Sequence, residues 1–328
     1  MSLKKELFKK VPFKKHALLT QFSLTLTLLM LLVNQSVLAS TTISDDLQTH
    51  HFETPPTRII AINWSMAENL LELGITPIAI TDIKGYRQWV VNPPIPDSVL
   101  DIGTRSEPNL ERIKELNPDL ILSSALQKGL VPQLQKIAPT LYYDSFREDH
   151  NNAEKAQQIF TQIALVTGKQ KQAQQRLQQQ QDQIKKLKEQ LITHFNGQLP
   201  KVSLIRFANP TAVIIYGDNS LSSAALDKLG IQSALTMPKT KWGFKQFPTS
   251  ELAKIKEGVV LHIEPFEHQP LLDKSPLWNI LPFVKNKQFS TIDSTWSYGG
   301  INAVGYTAQA VTKSLLAFPI PAPSLNNE

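Results

Sequence analysis

The chain has 328 residues and no cysteine, with 34 Lys and Arg against 28 Asp and Glu for a formal net charge of +6. Without cysteine it has neither a disulfide framework nor thiolate metal ligands, so a fold of this length must rest on its hydrophobic core. The positive excess is local: Lys4, Lys5, Lys9, Lys10, Lys14 and Lys15 face only Glu6 near the start, and the remainder, at about +1, offers no basic footprint for nucleic acid.

The basic start runs into an apolar stretch over 18–33 and then Val37-Leu38-Ala39. A basic flank, an apolar run and small residues at a cleavage point make 1–39 an expected signal peptide, with Ser40 as the new N-terminus. The apolar run is interrupted by Thr, Gln, Ser and Asn and falls short of the ~20 residues a span needs. With no cysteine at the cleavage point to carry a lipid, the exported protein is expected to diffuse freely in the periplasm. The remaining residues are long for one core and point to two lobes.

Residues 40–56 are polar, end in Pro55-Pro56 and read as a flexible leader. An N-terminal α/β lobe follows over 57–151. Its strands are expected at 58–62, 75–80, 119–123 and 141–143, and its helices at 66–73, 109–116 and 130–137. Pro93, Pro94 and Pro96 make 86–101 a structured loop. Residues 152–199 form a connecting helical segment, broken near Thr167-Gly168. Its glutamine-rich half keeps Ala173, Leu177, Ile184, Leu187 and Leu191 at helical intervals. A C-terminal α/β lobe occupies 200–328, with strands at 202–207, 212–216 and 259–263 and helices at 222–229, 251–256, 275–280 and 302–318. Strands alternating with helices predict mostly parallel sheets with covered faces.

Ligands of open α/β sheets sit beyond the carboxyl ends of the strands, and between two lobes those ends can line a shared cleft. Trp64, Trp89, Trp242 and Trp296 fall in such places, whereas Trp278 sits on a short helix as core. Spacing leaves two readings open: a shared aromatic cleft, or four side chains each capping its own lobe. Arg105 lies in a turn-like segment. By itself that position favours a solvated arginine paired with Glu107, although a guanidinium there would also suit an oxygen-rich ligand. His262, Glu264, Glu267 and His268 are metal-ligating types, but Pro265 breaks the run and no closed site is specified. No nucleophile elbow, P-loop, dinucleotide fingerprint or zinc-protease motif is present, and no carboxylate pair is nominated by spacing, so catalysis is the weaker class.

Arg58-Ile59-Ile60-Ala61, Trp64 and Leu73-Gly74-Ile75 resemble the opening of periplasmic iron-siderophore binding proteins of ABC importers. The stretches 86–90, 93–99 and 101–111, followed by Pro276-Leu277-Trp278, 281–284 and Trp296-Ser297-Tyr298-Gly299-Gly300, look like the ferric hydroxamate (ferrichrome-type) branch. The resemblance implies two Rossmann-like lobes joined by a long backbone helix, an aromatic cleft and little hinge motion. It implies a monomer that captures a ferric siderophore and delivers it to an inner-membrane ABC permease with its cytoplasmic ATPase, using no cofactor, because the siderophore holds the iron. Arg105 matches the arginine that contacts the hydroxamate oxygens, and Trp89, Trp242, Trp296 and Tyr298 match the aromatic wall. Where that branch has a cleft tyrosine, this chain reads 124–129, with Gln127 as a donor and Lys128 as a partner for a carboxylate. That departure admits another hydroxamate or a citrate-based mixed ligand such as aerobactin. Glu251 is the candidate for permease docking on the second lobe. Haem, cobalamin or free metal are alternative cargoes, and a secreted hydrolase is the alternative class.

Overall fold

The computed structural model describes residues 40–319; the expected signal peptide lies outside the described residues. The expected flexible leader is instead an ordered antiparallel hairpin, β1 (Thr41–Ser44) with β2 (Thr49–Phe52). Asp45 closes its turn by accepting from the Leu47 and Gln48 amides, both at 2.7 Å. The other Asp45 oxygen accepts from the Tyr142 amide at 2.9 Å, and the Asp46 amide donates to the Tyr142 carbonyl at 3.1 Å. Ile43 and Phe52 enter the N-lobe core. The hairpin thus satisfies the outer edge of that lobe's sheet, which would otherwise expose unpaired backbone groups.

The N-lobe runs β3 (Ile59–Ala61), α1 (Trp64–Glu72), β4 (Ala79–Ile80), α2 (Ile83–Trp89), β5 (Leu100–Asp101), α3 (Leu110–Glu115), β6 (Leu120–Ser124), a 3₁₀ turn over Ala125–Leu130, α4 (Val131–Leu134) and β7 (Thr140–Tyr143). The sheet order is β5-β4-β3-β6-β7, all parallel. Apolar runs such as Leu120–Ser124 are buried on both faces, as helices on each side require. Helix α2 occupies part of the stretch expected to be a proline-rich loop, because the prolines begin only after it, at Pro93.

Two helices connect the lobes, α5 (Asn152–Val166) and α6 (Gln170–His194), with the expected break between them. Gly168 ends α5 at φ +67°, and the Lys169 amide donates to the Ala164 carbonyl at 2.7 Å, a left-handed cap that glycine enters without steric cost. At about 1.5 Å per residue, α6 is roughly 37 Å long. Ala173 and Leu177 pack into the N-lobe core, whereas Ile184, Leu187 and Leu191 pack into the C-lobe core. One rigid rod therefore belongs to both cores.

The C-lobe runs β8 (Val202–Asn209), β9 (Ala212–Tyr216), α7 (Leu221–Leu229), β10 (Phe244–Pro248), a 3₁₀ turn over Thr249–Lys254, β11 (Val259–Ile263), three short helices α8 (Gln269–Asp273), α9 (Pro276–Asn279) and α10 (Pro282–Lys285), β12 (Phe289–Ile292) and α11 (Ala303–Leu315). Its order is β10-β9-β8-β11-β12, and it is mixed. β8, β11 and β12 are parallel, while β9 is antiparallel to both β8 and β10. The tight turn at Pro210 forces that direction, with Asn209 Oδ1 accepting from the Thr211 amide and hydroxyl, both at 2.9 Å.

The lobes meet along the polar edge of α1. Glu68 Oε2 accepts from the Gly300 amide at 3.0 Å and Asn69 Oδ1 from the Ile301 amide at 3.1 Å. Glu72 accepts from the Tyr306 hydroxyl and from Arg176 Nε, both at 2.5 Å. Gln180 of α6 donates to the Ile301 carbonyl at 2.8 Å and to Asn302 Oδ1 at 2.9 Å. Burial pushes the Glu68 carboxyl well above the usual carboxylate range, with the Glu72 charge adding to the rise. The approach requires glycine: a Cβ on Gly299 would lie 2.7 Å from a Glu68 oxygen, and one on Gly300 would overlap the Asn69 amide. Gly300→Ala is expected to cost about 1–3 kcal/mol through forced overpacking, lowering Tm by roughly 2–4 °C per kcal/mol in thermal unfolding followed by circular dichroism. An unchanged Tm would mean the seam yields freely.

Candidate ligand-binding site

Asn63 opens the site. Its side chain accepts from the Ser65 amide at 3.1 Å and caps α1, which sets Trp64 as the first helical residue at the carboxyl end of β3. The Trp64 indole N–H donates to the Thr81 carbonyl at 3.0 Å, so the ring is held. Gly85 leaves it room, since a Cβ there would meet Trp64 at 2.7 Å.

Arg105 lies on that ring, its guanidinium carbon 3.7 Å from the Trp64 centroid and 5.3 Å from the Trp296 centroid. Its partner among carboxylates is Asp82, with 3.9 Å between Nε and Oδ2, rather than Glu107. Both side chains are about one-third exposed, so this pair contributes at most about 1 kcal/mol. Burial lowers the Arg105 pKa and Asp82 opposes the shift; so strong a base stays charged. No hydrogen bond ties the guanidinium to the described residues, which leaves its donors for a ligand.

From Arg105 an aromatic wall crosses to the second lobe. Trp64 and Trp296 pack at 4.9 Å between centroids, Trp296 and Tyr298 at 5.1 Å, and Tyr298 and Phe244 at 5.2 Å. Phe146 reaches Tyr298 at 6.0 Å and Trp242 at 6.2 Å. The loop of Trp242 is pinned although the ring is exposed. Asn219 donates to the Thr240 carbonyl at 2.9 Å and, across the lobes, to the Arg147 carbonyl at 2.8 Å. These walls enclose an open cavity of about 290 Å³, lined by Asn63, Arg105, the 124–126 turn, Phe146, Trp242, Phe244, Trp296 and Tyr298. That is near the lower end of small-molecule sites, so a bulky complex would rest in the cleft with part of its surface in solvent.

Of the expected residues, Arg105, Trp242, Trp296 and Tyr298 line one cavity, whereas Trp64 is 2% exposed and belongs to the N-lobe core, carrying Arg105 on its ring. Trp89 does not line the cavity; its ring lies 5.1 Å from the guanidinium of Arg206, a buried residue of β8. Gln127 is buried, and both ends of its amide are used inside the protein: Nε2 donates to the Arg105 carbonyl at 2.9 Å and Oε1 accepts from Asn63 at 3.3 Å. It positions the Arg105 loop rather than meeting ligand. Lys128 is exposed, with its ammonium 5.9 Å from the Tyr142 ring and outside the cavity lining. Glu251 sits on the Thr249–Lys254 turn, paired with Lys254. Trp278 is core, as expected. Phe146, Phe244 and Arg206 went unnoticed in the sequence; only the second lies beside a tryptophan already singled out.

His262 is buried between the rings of Phe207 and Phe266. Among the described residues no three His, Cys, Asp or Glu side chains gather as metal ligands, and no helix is long and apolar enough to cross a membrane.

Residues 59–295 match the periplasmic binding protein family. The chain belongs to that family. It is 33% identical over 255 residues to the iron(3+)-hydroxamate-binding protein FhuD of Escherichia coli, covering 76% of this chain and 84% of that one. It is 26% identical to the Fe(3+) dicitrate-binding periplasmic protein FecB of the same species, covering 82% and 87%. Among solved structures, the Fe3+–Desferal-bound siderophore binding protein FhuD from Vibrio cholerae superposes with a TM-score of 0.78 at 42% identity, covering 80% of this chain and 98% of that one. The Vibrio cholerae structure therefore shares the fold described here.

Two consequences are measurable. Gln127→Ala strands the Asn63 amide and the Arg105 carbonyl, at a cost of about 1–3 kcal/mol in chemical denaturation. His262 has its pKa lowered to about 4, first by burial and then by the Arg206 charge. Between about pH 6.5 and pH 4 the unfolded chain takes up a proton that the folded chain refuses, so stability present above pH 6.5 is lost as pH falls. His262→Phe should remove this loss, which amounts to as much as ~3 kcal/mol by pH 4, seen as a flatter plot of stability against pH. A variant with the wild-type slope would refute the burial of a neutral imidazole.

Proposed function

We propose that this periplasmic binding protein captures a ferric siderophore, hydroxamate or mixed citrate-hydroxamate, and hands it to an inner-membrane ABC permease. The observation that carries the reading is the Arg105 guanidinium laid on Trp64 with no hydrogen bond to the described residues, at one end of an aromatic cavity. A siderophore fills the metal's coordination shell with its own oxygens. The protein then needs a donor for those oxygens and apolar faces for the organic periphery, and it needs no metal ligand or cofactor. Arg105 suits the first task, and Trp242, Trp296, Tyr298, Phe146 and Phe244 suit the second. Relatives named for iron(3+)-hydroxamate and Fe(3+) dicitrate binding support the same cargo.

The rod shared by both cores favours recognition with little lobe closure, so the permease reads the lobe tips of a nearly fixed body. Glu251 is the docking candidate on the second lobe. We assign the protein to the periplasm, exported by removal of residues 1–39 and working as a monomer.

Titration of tryptophan fluorescence with Fe3+–Desferal, ferric dicitrate, haem, cobalamin and bare metal ions tests the reading. Quenching by a ferric siderophore is expected, and Arg105→Ala should weaken it at least tenfold, about 1.4 kcal/mol. Equal affinity in that variant would remove Arg105 from the site, and silence toward every ferric complex would overturn the function.

A further inference from the structure

Arg206 carries a charge that no described residue neutralises. It projects from β8, is only 6% exposed, and donates from Nη2 to the Thr295 carbonyl at 2.8 Å. Its Nε and Nη1 are buried and have no partner among the described residues. No carboxylate of the described residues lies within ion-pair distance. A guanidinium taken out of water with two of its N–H directions idle costs several kcal/mol unless something meets them.

Its surroundings indicate where a partner would come from. The guanidinium carbon lies 5.1 Å from the Trp89 centroid and 5.9 Å from that of Trp296. On the cavity side of Trp296 stands Arg105, 5.3 Å from the same ring. One indole therefore neighbours both a cavity-lining guanidinium and a buried one. That indole is half-buried, lines the cavity, and makes no hydrogen bond to the described residues, whereas the neighbouring Trp64 is fixed by the Thr81 carbonyl. The Lys241 ammonium lies 5.7 Å from the ring of Trp242 in the cavity wall, and no Asp or Glu occurs between Asp227 and Glu251. A positive charge there raises the local concentration of anionic complexes.

We propose that Arg206 is a second oxygen-gripping residue of the cleft, reserved for a free carboxylate of the bound ferric complex, with the Trp296 ring as the movable partition in front of it. The inference rests on the ferric-siderophore reading and narrows it to carboxylate-bearing complexes. It reassigns the citrate preference from Gln127 and Lys128, which do not line the cavity, to a residue of the opposite lobe. A bound carboxylate would accept from one of these idle donors, Nε or Nη1, in a charge-assisted hydrogen bond.

The test compares two probes on the mature chain by fluorescence titration: ferric dicitrate, rich in carboxylate, and Fe3+–Desferal, whose hydroxamates hold the iron and which offers no free carboxylate. Arg206→Met is expected to weaken ferric dicitrate at least tenfold and to leave Fe3+–Desferal within about twofold. Equal loss for both probes would make Arg206 a brace between the lobes and overturn the proposal, as would no loss for either. If Arg206→Met does not fold, Arg206→Lys is read in the same titrations. It keeps the charge but shortens the reach and removes the Nε and Nη1 donors, and a loss of about threefold or more confined to ferric dicitrate is expected; any other pattern overturns the proposal. Wild-type protein that binds Fe3+–Desferal but not ferric dicitrate would overturn the carboxylate site alone, whereas failure to bind either would overturn the function beneath it.

Discussion

The cleft depends on one close approach, between the polar edge of α1 and the Gly299-Gly300 turn of the other lobe. Glu68 and Asn69 accept from successive backbone amides of that turn, and only glycine leaves room for them. The turn follows directly on Trp296 and Tyr298, so the seam sets where the second lobe's aromatic residues stand over Trp64 and Arg105. Glu68 Oε2, Asn69 Oδ1 and Gln180 Nε2 bond across the seam, while one Glu68 oxygen and the Asn302 amide nitrogen are buried without a partner among the described residues. A junction of this kind tolerates little sliding, because any displacement strands several buried polar groups together.

The connecting helices act in the same direction. A hinge made of a few loop residues lets lobes swing, but α6 gives side chains to both hydrophobic cores and ties α1 to α11 through Arg176, Glu72 and Tyr306. Closure by bending would pull apart packed apolar surface as well as the seam. A preformed, open and aromatic site fits this rigidity: recognition comes from a stationary donor and stationary ring faces, and adaptation is left to side chains such as the unanchored indole of Trp296.

Much of the architecture was legible in the sequence. The strands 212–216 and 259–263 fall where the apolar runs put them, and the break at Thr167-Gly168 is where left-handed backbone was called for. The polar hairpin at 41–52 was not legible, because its stabilising partners are the backbone groups of Tyr142 and Asp144, about a hundred residues away. The edge strands β10 and β12 were missed for a related reason. They are incompletely buried and lack the continuous apolar pattern of central strands. At the site, Trp242 and Trp296 could be picked out by type and position, whereas Arg105 stood out only through the family resemblance, because its local segment alone reads as a solvated turn. Gln127 and Lys128 were misjudged, because sequence shows which groups a side chain carries but not whether the protein already uses them.

The sequence by itself determined an α/β chain of two lobes with a long amphipathic connector, a cysteine-free core, and tryptophans near the ends of expected strands, since each of these follows from local periodicity, composition or backbone restriction. Tertiary structure alone decided which rings face one another, that Gln127 bonds the Arg105 carbonyl, and that Arg206 is buried near Trp89 and Trp296 with idle donors. Those outcomes depend on distances between segments that are well separated along the chain, 22 residues for Gln127 and Arg105 and far more for the facing rings, and no local pattern encodes them.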